Sequence, residues 1–451
     1  MTQHRPLACV ILAAGKGTRM KSDLPKVLHR VAGQPMVGHV LSAVRALDPD
    51  HVVVVVGPGM DNVADAVAPY PTAVQHEQRG TADAVRAAFG LLEGFDGDVV
   101  VLYGDTPLVT PDTLRAMVAA RRQASDPAVV VLGMRPDDPG AYGRLILNAR
   151  GGLEKIVEYL DASEEERQVT LCNAGLMAFD GSRMFDLISR IGNANAKSEY
   201  YLTDVVQIAR SNGMACAVVE AAPAEVVGVN SRAELSEVEK LIQRRLRKAA
   251  MDNGATLTDP DSVTFCVDTR LGRDVIVGPH VVFGPGVVVA DRVEIKAFSH
   301  LEQVRVDSGA QVGPYARLRP GAEIGPDAHI GNFVEIKNAK IEAGAKVNHL
   351  TYIGDARVGA KANIGAGTIT CNYDGYAKSH TDIGAGAFIG SNTALVAPVR
   401  VGDGAIVGAG SVVTTDVEGD ALVVARGRQQ AYTGWAKRFR ERKQNEKAKK
   451  A

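Results

Sequence analysis

The stretch "RVDSGAQVGPYARLRPGAEIGPDAHIGNFVEI" (Arg305–Ile336) places an aliphatic residue at every sixth position: Val306, Val312, Leu318, Ile324, Ile330 and Ile336. After an interruption the same period returns through Ile383, Ile389, Leu395, Val401, Val407 and Val413. Glycine follows many of them, as in Val312-Gly313, Ile330-Gly331 and Val401-Gly402. This period is the signature of a hexapeptide β-helix. Each hexapeptide forms one short side of a triangular coil, with the aliphatic residue pointing inward and small residues turning the corners. The period itself does not set the hand of the coil. Between the two runs, Ile341, Val347, Ile353, Val358 and Ile364 slip by a residue twice, and "CNYDGYAKSHT" (Cys371–Thr381) breaks the repeat. An insertion in a solenoid protrudes from it and is a place where function concentrates.

Outward from the repeat, the grammar changes. Ser231-Arg-Ala-Glu234 is a capping box that opens a charge-laced helix over roughly Arg232–Met251, stopped by Asn253-Gly254. Upstream, Ala8–Leu12, His51–Gly57, Asp98–Asp105 and Ala128–Met134 read as strands, and Met36–Ala46, Thr81–Leu92 and Pro111–Ala124 as helices. A βαβα alternation predicts a mostly parallel sheet covered by helices. The expected organisation is therefore an α/β Rossmann-like domain over residues 1–229, a linker helix over 230–250 and an all-β parallel β-helix over 251–451. The tail after Trp435 is rich in Lys and Arg and reads as disordered.

Composition narrows the class. The chain has 451 residues and a net charge of -1, which carries no nucleic-acid signature. Its 47 glycines exceed the usual share of about 7% and crowd the region after Gly272. Five scattered cysteines form no CxxC pair, so neither a disulfide framework nor a zinc knuckle is expected. The first residues lack a cleavable signal pattern and no apolar run approaches a membrane span, so the cytoplasm is the expected location, with no membrane partner.

The α/β half carries a loop, "ILAAGKGTRM" (Ile11–Met20), directly behind its first strand. A P-loop places Lys after the second Gly; here Lys16 lies between Gly15 and Gly17. A Rossmann fingerprint needs a third Gly where Met20 stands. What survives is glycine-rich backbone able to approach an anion, with Lys16, Arg19 and Lys26 as nearby cations. Asp105 in "YGDTPL" follows a buried strand at the carboxyl edge of the sheet, where a carboxylate suits Mg²⁺ that takes its other ligands from phosphates. Gln75, Gln78, Gly80 and Thr81 in "QHEQRGTADAV" offer amide and backbone groups to a nucleobase edge.

"LAAGKGTRMKSDLPKVLH" (Leu12–His29) resembles the signature of sugar-nucleotide pyrophosphorylases. Taken with "EQRGTADAV", "YGR", "NAG", "HLTYIGD" and "GAGTITCNYDG", residues 6–435 resemble the bacterial family of bifunctional N-acetylglucosamine-1-phosphate uridylyltransferases and glucosamine-1-phosphate N-acetyltransferases. The resemblance implies a left-handed β-helix, a homotrimer formed through it, Mg²⁺ as cofactor, and UTP and acetyl-CoA as co-substrates. It implies that Leu12, Ala13, Ala14, Gly15, Gln75, Gly80, Thr81, Tyr103 and Gly104 lie against the uridine nucleotide, with Arg19 and Lys26 on its phosphates. Gly143, Glu158 and Asn173 are implied for the sugar, and Asp105 and Asn230 for the metal.

In the repeat half, His349 of "NHLTYIGD" stands where the hexapeptide register slips, beside Tyr352. Imidazole titrates near neutrality, as a general base for acyl transfer requires. The resemblance implies that His349 takes the amine proton of glucosamine 1-phosphate as it attacks the acetyl-CoA thioester. Arg319, Lys337, Tyr352, Asn363 and Lys378 are then implied for the sugar phosphate. Ala366, Asn372, Tyr373, Ser391, Ala409 and Arg426 are implied for acetyl-CoA. A zinc site built from His280, His300, His329, His349 and His380 lacks ligand spacing, and Cys371 lacks a His spaced as its base. The rival readings are a single-activity nucleotidyltransferase whose β-helix only assembles or regulates, and a non-enzymatic scaffold.

Overall fold

Leu7–Leu12, His51–Val56, Asp98–Tyr103 and Val129–Met134 form the heart of a sheet because their β-branched side chains are buried on both faces. They belong to a computed structural model that describes residues 5–449. The chain divides into two units: Met1–Lys248 with Phe265–Val267, and Ala249–Thr264 with Asp268–Ala451.

In the first unit the main path of the sheet runs Cys216–Ala221, Val129–Met134, Cys172–Asp180, Asp98–Tyr103, Leu7–Leu12, His51–Val56, Thr72–Val74. All neighbours are parallel except Cys172–Asp180, which is antiparallel to both of its own. The main path is mostly parallel, as expected, and that strand is its exception. The chain between Met134 and Cys172 makes a hairpin, Arg144–Leu147 with Leu153–Val157, in place of a crossover helix, so it returns in the opposite sense. Leu12 is in register with both Val55 and Tyr103, so the loops after three strands leave the sheet along one edge. The expected helix over Thr81–Leu92 breaks at Ala88 into Thr81–Ala87 and Phe89–Leu92, where Phe89 turns to pack edge-on against Phe185. The next helix is Pro111–Arg121, its Thr110 side chain capping Thr113 N–H at 3.2 Å.

The helix after the sheet is Arg232–Asp252. Ser231 and Glu234 close the capping box: Glu234 N–H donates to Ser231 Oγ (3.2 Å) and Ser231 N–H to Glu234 Oε2 (2.9 Å). Its Val238 and Ile242 share a small core with Met20, Val31, Met36, Leu108 and Val229. Met20, only 1% exposed, thus anchors the far end of the glycine loop.

The second unit is a parallel β-helix of very short strands. One face stacks Ile276–Val277, Glu294–Ile295, Gln311–Val312, His329–Asn332, Lys346–His349, Asn363–Ile364, Phe388–Ile389 and Ile406–Val407. Val306, Val312, Leu318, Ile324, Ile330 and Ile336 all point into the coil and are at most 1% exposed. Burying such a ladder is the chief apolar gain of the fold. At one corner, each coil donates a backbone hydrogen bond to the coil before it: Leu350 N–H to Asn332 O (3.1 Å), Gly367 to His349 (3.2 Å), Asn392 to Ala366 (2.7 Å) and Gly410 to Ser391 (2.8 Å). The donors all hold left-handed backbone, φ 48° at Leu350, 75° at Gly367, 57° at Asn392 and 75° at Gly410. The break at Cys371–Thr381 is a loop that leaves the coil and rejoins it. Tyr373 bridges Lys378 antiparallel, and the Asp374 carboxylate accepts from Tyr376 and Ala377 N–H at 2.8 Å each.

The tail corrects an expectation. Trp435–Ala448 is helical, with no buried residue. Lys, Arg, Glu, Gln and Ala are good helix formers, and spaced pairs such as Lys443–Glu446 (2.8 Å) support it. No helix among the described residues is long and apolar enough to cross a membrane.

Because the inward ladder fills the coil, Ile336→Ala is expected to lower the stability of the β-helix by about 2–5 kcal/mol. The midpoint of its chemical-denaturation transition should fall while the transition of the α/β unit stays in place.

Candidate active sites

The glycine loop is shaped by two different needs. Gly17 has φ 62°, and a Cβ there would lie 2.6 Å from Lys26 Cβ, so its glycine is structural. A Cβ on Gly15 would meet nothing within 4 Å, so its glycine leaves open space rather than relieving a clash. That space belongs to a cavity of about 300 Å³ lined by Leu12, Ala13, Ala14, Gly15, Lys26, Gln75, Gly80, Thr81, Tyr103 and Asp105. Gly104 adjoins it, its N–H donating to Leu12 O at 2.9 Å. Val27, Gln78, Ala84 and Glu199 line it as well. Gln78 Nε2 donates to Ala14 O (2.6 Å) and holds the loop, while buried Gln75 donates to Gly80 O (3.0 Å) and Asp83 (2.9 Å).

Lys26 Nζ donates to Asp105 Oδ2 and to Asn230 Oδ1 (3.1 Å), so both oxygens converge on one cation. Asn230 is brought there by the backbone, since Val229 N–H donates to Asp105 O at 3.0 Å. Arg19, on the short turn Thr18–Met20, is exposed and outside the cavity lining, and Lys16 is exposed beside Gly15.

Gly143, Glu158 and Asn173 come together next to Tyr103. Asn173 N–H donates to Gly143 O (2.8 Å), and a Cβ on Gly143 would sit 3.5 Å from Glu158 Oε2. Thr203 Oγ1 donates to Glu158 Oε1 at 3.1 Å, a partner no motif singled out. Burial raises the Glu158 carboxyl above its ordinary value against the Thr203 hydrogen bond, and Asp161 adds to the rise. Burial, then the Asp105 and Glu158 charges, push the Tyr103 hydroxyl up, opposed by its hydrogen bond with Thr81.

On the β-helix, Arg319, Lys337, Tyr352 and Lys378 form one patch. Arg319 Nη1 donates to Glu335 Oε1 (2.7 Å), and Glu335 is the register partner of Tyr352. Lys337 lies against Lys378; that ammonium, then burial, then Arg319 depress the Lys337 ammonium, with Asp355 opposing. Burial acts to raise the Asp355 carboxyl, but the Asn338 and Asn372 amides and the charges of Lys378 and Lys337 outweigh it and hold it low. Two ammonium groups forced together are a cradle for a doubly charged anion. Asn363 lies apart from the patch, on the strand between Lys346 and Phe388. Asn372, bonded to Asp355, and exposed Tyr373 sit at the root of the protruding loop.

The remaining residues line the corner. His349 is exposed at the end of its strand, with Nδ1 2.8 Å from Asn332 Oδ1. Above it stand Ala366, Ser391 and Ala409, and Arg426 Nη1 donates to Ala409 O at 2.8 Å. At about 4.8 Å per coil, the line from His349 to Arg426, four coils on, is about 19 Å long. No hydrogen bond or ion pair among the described residues joins His349 to Arg319, Lys337, Tyr352 or Lys378.

Residues 9–170 match the MobA-like NTP transferase domain, and residues 304–338 and 380–415 match the bacterial transferase hexapeptide. The chain is 62% identical to Bifunctional protein GlmU of Paramagnetospirillum magneticum, over 98% of this chain and 99% of that one. It is 64% identical to the protein of the same name from Rhodospirillum rubrum, over 96% of this chain and 97% of that one. With that of Zymomonas mobilis it shares 53% identity over 98% of this chain and 99% of the other.

The raised Glu158 carboxyl has a consequence for stability. A carboxyl whose folded pKa exceeds its unfolded one stabilises the fold fully below the unfolded value, and that contribution is lost as pH rises through the folded one. Glu158→Gln cannot ionise, so it is expected to raise the melting temperature of the α/β unit at about pH 7. The gain should shrink as the pH is brought down to 4.5, the ordinary value for this side chain.

Proposed function

The chain belongs to the bifunctional GlmU family, and from this we propose that it makes UDP-N-acetylglucosamine by two reactions at separate sites. The observation that carries the reading is the presence in one chain of a nucleotide-sized cavity with two oxygens converging on a cation, and of a histidine at the foot of a coil-long corner.

The β-helix acts first. Glucosamine 1-phosphate places its phosphate on Arg319, Lys337 and Lys378, with Tyr352 and Asn363 on its hydroxyls. Its amine attacks the thioester carbonyl of acetyl-CoA, the C–N bond forms and the C–S bond breaks. His349 accepts the amine proton and returns it to the departing thiolate. Acetyl-CoA runs up the corner along Ala366, Ser391 and Ala409, with Asn372 and Tyr373 beside its reactive end and Arg426 on a phosphate. Since His349 and the cation patch are unconnected within one chain, we propose a homotrimer through the β-helix that assembles each site from different copies.

The α/β unit then joins N-acetylglucosamine 1-phosphate to UTP. The sugar-phosphate oxygen is already a nucleophile and displaces pyrophosphate from the α-phosphorus in line, so positioning and charge stabilisation supply the catalysis. Leu12–Gly15, Gln75, Gly80, Thr81, Tyr103 and Gly104 hold the uridine end, while Gly143, Glu158 and Asn173 hold the sugar. Lys26 and Arg19 bear on the phosphates. Asp105 and Asn230 fit Mg²⁺, because their oxygens already share a cation and Mg²⁺ takes the rest of its shell from phosphates and water. When bound, the ion neutralises charge on the triphosphate. Both co-substrates are cytoplasmic metabolites, and we place the enzyme there.

Asp105→Ala is expected to lower UTP-dependent pyrophosphate release by about 100-fold or more while acetyl transfer persists. His349→Ala is expected to do the reverse, cutting thiol release from acetyl-CoA by about 10²–10⁴-fold. A wild-type protein that releases pyrophosphate but no thiol would identify a single-activity nucleotidyltransferase.

A further inference from the structure

We infer that Asn332 is a positioning residue for acetyl transfer: its amide oxygen fixes the Nδ1–H tautomer of His349 and leaves the Nε2 lone pair free to take the amine proton. The inference rests on the reading of His349 as the base.

The geometry is specific. Asn332 Oδ1 faces His349 Nδ1 at 2.8 Å. A neutral imidazole has one donor and one acceptor nitrogen, and a carboxamide oxygen only accepts. Nδ1 therefore carries the proton and Nε2 the lone pair. The two residues are register partners at the ends of parallel strands His329–Asn332 and Lys346–His349. Both backbones are held from the next coil, through Leu350 N–H to Asn332 O (3.1 Å) and Gly367 N–H to His349 O (3.2 Å). Thr351 Oγ1 adds a bond to His349 O at 2.7 Å. With the main chain fixed, the exposed ring is the movable part, and Asn332 is what restrains it.

The choice of an amide over a carboxylate also matters. A carboxylate at this distance favours the imidazolium, which cannot accept a proton. The amide orients the ring without that charge. The titratable groups on the surrounding strands are His329 and Lys346 on the two paired strands, Glu335 and Tyr352 beyond the corner, and none on the coil segment Gly365–Thr368 above. Glu335 is engaged by Arg319 at 2.7 Å.

The test compares Asn332→Leu, Asn332→Asp and His349→Ala in the full chain, with thiol release followed against pH. Asn332→Leu is expected to lower kcat by about 10- to 100-fold, with KM for acetyl-CoA and for the amine changed little. Asn332→Asp keeps an acceptor at Nδ1; it should recover most of that loss above neutrality and move the acidic limb of the kcat profile up by about one pH unit. Pyrophosphate release and the melting temperature of the β-helix are read on the same samples. The inference is overturned if Asn332→Leu keeps kcat within twofold of wild type while His349→Ala is inactive. It is equally overturned if Asn332→Asp is as slow as Asn332→Leu with the acidic limb unmoved, which marks Asn332 as merely structural. Undiminished transfer by His349→Ala would instead remove the base assignment on which the inference rests.

Discussion

Parallel strand pairing is the constraint on which both units depend. A parallel ladder aligns the same ends of successive strands, so residues far apart in sequence emerge side by side. In the α/β unit, Leu12 in register with Val55 and Tyr103 brings the glycine loop and Asp105 to one edge. In the β-helix, the same rule applied coil after coil lines up Asn332, His349, Ala366, Ser391 and Ala409 along a corner. Neither interior has room for chemistry, because apolar side chains fill both. The sites are consequently made where ladders end or turn.

The two sites solve the problem of binding phosphate with different charge arrangements. In the α/β unit a single ammonium, Lys26, rests between a carboxylate and an amide oxygen, so its charge is already answered. On the proposed assignment, a triphosphate and Mg²⁺ would have to share those oxygens with Lys26 or displace it. On the β-helix, the Lys378 ammonium lies against Lys337 and lowers its pKa. On the proposed assignment, the sugar phosphate would relieve the repulsion between them. The first arrangement is an exchange of partners, the second a pre-loaded receptor for negative charge.

Much of this was legible in the chain itself. The six-residue phase from Val306 to Ile336 specifies the coil because inward residues have no alternative to being apolar. The cavity-lining residues near Leu12, Gln75 and Asp105 sit in short motifs, and Gly15 among them has no steric reason to be glycine. Other features are three-dimensional and leave no local trace. The reversed strand Cys172–Asp180 depends on a hairpin inserted upstream of it. Met20 reads as a failed third glycine, yet it plugs a core shared with Val238 and Ile242. Thr203 beneath Glu158 lies across a chain separation that no spacing rule links, whereas Asn332 and His349 each follow a repeat residue, Ile330 and Val347, by two positions, so the coil period aligns them. The tail reads as disordered from its charge, yet its residues are good helix formers and Trp435–Ala448 is helical.

The corner is also a ruler. Its marks are set by backbone hydrogen bonding, so they are spaced by about 4.8 Å and cannot be moved by changing side chains. The distance from His349 to Arg426 is therefore counted in whole coils. If acetyl-CoA lies along this corner as proposed, one coil more or less between His349 and Arg426 would change the length of acyl donor that fits by one fixed increment, with His349 itself unchanged. Reach would then be set by the number of repeats and reactivity by the side chains at the foot of the corner.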